Sequence, residues 1–81
     1  MHLTQAIQIL RLQRQTGITF GIVFISLANC TVRKIEQCTL RSGPDDSCLY
    51  FTDALTHEPK QCRKRLIRQL CINNRWHKIT I

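Results

Sequence analysis

Residues 11–30 read RLQRQTGITFGIVFISLANC, and every later step depends on how this stretch is taken. Arg11 and Arg14 precede an uncharged run, Thr16–Thr31, whose centre Ile18–Ala28 is strongly apolar and closes on Ser26-Leu27-Ala28. A positive lead, an apolar core of eleven residues and small residues at the −3 and −1 positions are the three parts of an export signal. On this reading residues 1–28 are a signal peptide or signal anchor, and residues 29–81 are a small basic cysteine-rich domain. The alternative rests on composition. Gly17–Ala28 is rich in Ile, Val, Phe and Thr, which suits a buried strand of a cytoplasmic domain. As a membrane span the run falls short of the roughly 20 apolar residues needed. An anchor extended through Gln15 and Gln13 would draw Arg14 into the headgroup region.

Cysteine distribution supports export. All five cysteines, Cys30, Cys38, Cys48, Cys62 and Cys71, follow Ala28. A 53-residue remainder buries too little apolar surface to offset its ordering entropy, roughly 1.5 kcal/mol per residue, without staples, metal or a partner. Five cysteines in so short a chain match a disulfide scaffold. The expected fold is therefore small, disulfide-rich and mainly α: an N-terminal signal or apolar helix, then an extended segment, two short helices and a short C-terminal strand.

Local signals place those elements. Leu3, Ala6, Ile7 and Leu10 have helical spacing within Met1–Gln15. Cys30–Leu40 favours no single period and reads as extended. Arg41–Asp46 is a turn, with Gly43 permissive, Pro44 fixing φ, and Asp45 and Asp46 able to bond back to the backbone. Asp46 or Ser47 can cap a helix running to Leu55, with Cys48, Phe51, Thr52 and Leu55 on one face. Pro59 suits the first turn of a second helix, about Glu58–Cys71, with Cys62, Leu66, Ile67 and Leu70 in one arc. Lys60, Lys64, Arg65 and Arg68 fill the opposite arc, while Arg63 sits within the apolar one. Asn73-Asn74 can stop that helix, since Asn tolerates the left-handed conformation. Trp76–Ile81 alternates as a strand.

The second helix constrains pairing. Cys62 and Cys71 would stand about 13.5 Å apart along it, beyond the roughly 7 Å limit between Cα atoms of a disulfide. The favoured bridges are Cys48–Cys62 and Cys38–Cys71. That leaves Cys30 unpaired, joined to a second copy in a disulfide-linked homodimer, or lipidated. Leu27-Ala28-Asn29-Cys30 resembles the lipobox of bacterial lipoproteins, departing from it at Asn29. Asn29-Cys30-Thr31 is also a formal glycosylation sequon, placed too near a mature N-terminus to serve.

Catalytic and metal signatures are weak. The cysteines lack a Cys-x2-4-Cys knuckle, and no glycine-rich oxyanion loop accompanies a Cys–His pair. Neither enzyme activity nor a cofactor is expected. Charge is the informative property. The formal net charge is +7, and five of the Lys/Arg residues lie between Lys60 and Arg68. Lys60, Arg63, Lys64, Arg65 and Arg68 are thus the candidate binding face, for an acidic protein or an anionic membrane or envelope surface. The functional expectation is an exported basic protein that acts by binding. A second reading is an intracellular nucleic-acid-binding or regulatory module with reduced cysteines, in which Trp76 and Tyr50 could stack on bases. A third is a small membrane-anchored accessory protein or lipoprotein. A lone Trp beside a short strand otherwise reads as core.

Overall fold

The computed structural model describes Met1–Ile81 and is built on a single antiparallel sheet. Helix α1 (Leu3–Arg14) is followed by β1 (Phe20–Ser26), β2 (Thr31–Arg41), β3 (Cys48–Asp53) and β4 (Pro59–Arg63). A 3₁₀ turn at Lys64–Leu66 leads into β5 (Ile67–Ile72) and β6 (Arg75–Lys78). The strand order is β4-β3-β2-β1-β5-β6, so β1 lies inside the sheet with β2 and β5 beside it. The mainly α expectation is overturned. In place of an N-terminal signal or apolar helix, Leu3–Arg14 alone is helical and packs Leu3, Ala6, Ile7 and Leu10 into the core, the apolar run at Phe20–Ser26 is a strand, and neither later helix forms.

Topology then dictates curvature. Chain leaving β4 at one edge must reach β5 on the far side of β1, four strand spacings away, or about 19 Å across a flat sheet. The four Cα–Cα steps from Arg63 to Ile67 span at most about 14 Å even when extended. Only a strongly curled sheet closes that connection. The amide of Lys64 donates to the Ser47 carbonyl (2.9 Å), tying the crossing to the β2–β3 loop. Two register slips assist, one in the β1–β2 ladder between Phe20 and Ile22, the other in the β1–β5 ladder between Val23 and Phe24. Bulges of this kind bend a strand and increase its twist.

Inside the curl lies one core. Phe51, Ile22, Ile67, Leu70 and Cys38 are fully buried on the sheet side, and Leu10 on the helix side. The Phe51 ring meets Phe20 and Phe24 edge-on, with centroids 6.4 and 5.8 Å apart, a favoured aromatic geometry. No polar or charged residue is buried. His2 caps α1, its Nδ1 accepting from the Thr4 amide at 3.2 Å. The Leu3 amide bonds the Thr80 carbonyl (2.8 Å), joining the two ends of the chain.

The two missing helices have different causes, a bulge in β5 and a plain alternation in β3. A bulge puts inward-facing residues three apart where a regular strand would put them two apart. In β5 Arg68 is the extra residue: Phe24 faces Ile67, and Val23 faces Gln69. Ile67 and Leu70 therefore both point inward at a spacing that imitates a helix. In β3 the buried residues are Leu49 and Phe51, a plain alternation, and the supposed helical face of Cys48, Thr52 and Leu55 is not formed. Asn73 and Asn74 do adopt the left-handed conformation, at φ 53° and 65°. They form the two-residue turn of the β5–β6 hairpin rather than a helix stop.

The disulfide scaffold is also overturned, since all five thiols are free. Cys38 and Cys71 lie on strands flanking β1, opposite Phe20 and Gly21 respectively. They are two strand spacings apart, roughly 10 Å, and point to opposite faces. Cys48 and Cys62 sit on adjacent strands one position out of register, Cys48 facing Arg63 and Leu49 facing Cys62. Their side chains leave the sheet in opposite directions. A membrane-spanning helix is likewise not borne out, since no helix is long and apolar enough to cross a bilayer. The boundary after Ala28 falls within the turn between β1 and β2.

Two predictions follow from this architecture. A chain of residues 29–81 lacks α1 and β1, and with them Leu10, Ile22 and both edge contacts to Phe51. It should show no cooperative thermal transition by circular dichroism, whereas residues 1–81 should. The second concerns Cys38 and Cys62, whose thiols burial pushes up to about 12, with Asp53 adding to the effect at Cys38 and Cys48 at Cys62. The folded state holds these protons more tightly than the unfolded one, so their contribution is complete below about pH 9 and is lost as pH rises toward 12. The slope should approach about 1.4 kcal/mol per pH unit for each thiol. Denaturant melts between pH 8 and 11 should show a shallower decline in a Cys38→Ala, Cys62→Ala double variant. Mass-resolved alkylation near pH 8 should label exposed Cys30 first and these two last.

Candidate functional site

The five residues of the expected basic face remain near the surface but do not share a helix. Lys60 lies on β4 with Nζ 3.5 Å from Glu58 Oε2. Arg63 ends that strand, Lys64 and Arg65 form the 3₁₀ turn, and Arg68 is the bulged residue of β5. Arg68 Nη1 donates to the Arg65 carbonyl (3.2 Å). They therefore wrap a corner of the curled sheet. Lys64 turns toward a cleft beside α1, and Arg63 borders a smaller one of about 350 Å³ near Cys48, Cys62 and the β1–β2 turn. Of the five cations of the expected binding face, Lys64 and Arg63 thus border different clefts.

The sheet face turned away from α1 brings a different set together. Register fixes its members, since directly paired residues share a face. Val23 pairs with Lys34 on one side and Gln69 on the other, and Gln69 pairs with Lys78. One step along, Gly21 pairs with Cys71 and Cys71 with Trp76. Trp76 is 39% exposed, not a core residue. Its indole lies against bare backbone. A Cβ placed on Gly21 would stand 2.8 Å from Trp76 Cη2 and 2.9 Å from Cys71 Cβ, so any larger residue there would displace the ring. Lys34 reaches across β1 to put its ammonium 4.8 Å from the indole centroid, while staying 3.7 Å from Glu36 Oε1. A shallow cleft of about 320 Å³ opens beside the ring between Gln37 and Asn74.

Tyr50, the other aromatic considered for stacking, is half-buried. Gly43 lies so close over its ring that an added Cβ would overlap ring atoms, and the Arg41 guanidinium stands 5.8 Å from the centroid. The histidines are dispersed: His2 caps α1, His57 takes a left-handed turn position at φ 61°, and His77 lies on β6. No set of three His, Cys, Asp or Glu side chains is arranged to hold a metal ion. Sequence reasoning missed Lys34 and Lys78 because they are isolated in the chain and converge only through strand pairing. The period-two alternation Trp76–Lys78 was the one available signal. Comparison with protein-family models, curated proteins and solved structures finds no match for this chain.

Proposed function

We propose that this protein is a non-catalytic binding module for single-stranded nucleic acid, taken up on the outer face of the sheet. The observation that carries the reading is the exposed Trp76 indole, backed by Gly21 and flanked by Lys34 and Lys78. A base would stack on the ring, and the two ammonium groups would meet adjacent phosphates. Stacking on an aromatic side chain is worth about 1–3 kcal/mol per base. The exposed cation–π contact it would replace is worth about 0.5–1 kcal/mol. The exchange favours the base, and Lys34, once displaced, is free to face a phosphate. Every base has a π-face and every nucleotide a phosphate, so such a surface binds with little sequence preference.

Charge supports the same reading. Of twelve Lys/Arg residues only Lys34 and Lys60 stand within 4.0 Å of a carboxylate. The five free thiols fit a reducing compartment. An exported binder of acidic surfaces, the other class considered, shares the charge but has no use for an exposed stacking ring.

Trp76 is the sole tryptophan, so its emission reports directly on the proposed surface. Titration with a short oligothymidylate should quench it. Affinity should fall with salt with a log–log slope of about −1.4, as for two neutralised phosphates on a single strand. Trp76→Leu should weaken binding, read by anisotropy of a labelled strand, about 10- to 100-fold, with an unchanged far-ultraviolet spectrum. Polyglutamate of matched charge should neither quench nor compete. Equal competition by polyglutamate would replace this reading with that of an acidic protein partner.

A further inference from the structure

We propose that the cleft beside the C-terminal turn of α1 is a second binding site, for a terminal phosphate or diphosphate group. It lies between the end of α1 and the β2–β3 loop, shares no lining residue with the cleft beside Trp76, and does not rest on the reading of the outer face. The cleft has a volume of about 640 Å³ and is bounded by the end of α1, the end of β2, the start of β3 and the 3₁₀ turn. Four cations from three separate segments line it: Arg11 and Arg14 of α1, Arg41 of β2, and Lys64. Arg11 and Arg14 are three apart and so share a helix face.

None of the four is within 4.0 Å of a carboxylate, although Asp45 and Asp46 border the same cleft. Asp45 is occupied by its own loop. Its Oδ1 accepts from the Ser47 amide at 2.9 Å and from Ser47 Oγ at 2.7 Å, bonds that hold its pKa below the usual carboxylate value. It remains an anion, but one already committed.

Two of the cations are positioned in advance. Arg14 Nη1 donates to Ser42 Oγ (2.9 Å). Arg41 donates through Nε to the Phe51 carbonyl (3.2 Å) and through Nη2 to the Lys60 carbonyl (3.1 Å). These bonds use only some of each guanidinium's five donors. Exposed Arg11 and half-buried Lys64 make no side-chain bond and are free to close on an anion. Donors arriving from several directions suit the three oxygens of a terminal phosphate better than the two of a carboxylate. The negative end of the α1 dipole opposes an anion here, but it amounts to roughly half a charge against a net of two positive charges, four cations less Asp45 and Asp46. The cleft is also several times larger than a phosphate, leaving room for the group that carries it.

Calorimetry on the full chain with inorganic pyrophosphate, at ionic strength fixed with potassium chloride, tests the site. Single-site binding is expected. Lys64→Gln and Arg11→Gln should each weaken it about tenfold, the loss of one charge-assisted contact, without moving the thermal midpoint of the unliganded protein. Trp76→Leu should leave it unchanged. Oligothymidylates with and without a 5′-phosphate identify the source of the group. Tighter binding of the phosphorylated strand, lost in Lys64→Gln, assigns a strand terminus. Equal binding of both strands, with pyrophosphate still bound, assigns a free phosphorylated metabolite. No pyrophosphate binding together with no preference for the phosphorylated strand overturns the proposal. So does pyrophosphate binding that survives both substitutions or disappears in Trp76→Leu.

Discussion

The rest of the structure depends on a short connection. Between Arg63 at the end of β4 and Ile67 at the start of β5 there are only three residues, yet the strands they join lie on opposite sides of β1, β2 and β3. A flat sheet cannot be drawn with that link. Curvature is therefore a requirement of the chain, and the curl gives a sheet of six short strands a concave side. There α1 lays Leu3, Ala6, Ile7 and Leu10 over Ile22, Phe51 and Leu70. The bulges at Gly21 and Arg68 belong to the same constraint, since they lie on the two ladders made by β1.

This geometry also decides the fate of the cysteines. On a curled sheet with strict alternation, a thiol's partner is set by strand and register rather than by proximity in the chain. Cys38 and Cys62 fall on the inner face and act as small apolar core residues. Cys71 falls outside beneath Trp76, and Cys30 falls in the β1–β2 turn. The stabilisation that disulfides were expected to supply comes instead from residues 1–28. They contribute a helix with four buried side chains and an inner strand with three, Phe20, Ile22 and Phe24. Once that segment joins the fold, the reason for invoking staples disappears.

The legible parts of the sequence were those with a purely local signal. α1, most of the turn read at Arg41–Asp46 (Arg41 itself ends β2), the extended character of β2 and the strand near Trp76 agree with their spacing or turn chemistry. The apolar run of β1 had two physical readings, and composition alone does not separate a short buried strand from an export core. β5 was illegible for a definite reason. Its bulge, fixed only by pairing with β1, converts a two-residue period into the Ile67–Leu70 interval and leaves Arg68 outward. β3 failed differently: Asp45 and Ser47 do bond to each other as a capping pair would, but they close a loop before a strand. Of the site, Trp76 and Lys64 were visible as residue types. Their neighbours were not, because Lys34 lies 42 positions from Trp76 and Arg11 lies 53 from Lys64.

Charge and core are kept apart in this molecule, and that separation lets the surface be specialised. The buried set contains no charged or polar residue, so the core asks nothing of the twelve cations. Pairing them would add little, since an exposed ion pair contributes about 0–1 kcal/mol. Leaving them unpaired also costs little, because at physiological salt the Debye length is about 8 Å and distant like charges scarcely repel. The balance changes when an anion binds in a concave or aromatic-lined place, where water is partly excluded and several cations act on one group. Arg11 and Lys64 above the α1 cleft and Lys34 over Trp76 are the cations so placed. Arg65 and Arg75 have no such setting, and their contribution is limited to the long-range field that draws a polyanion in.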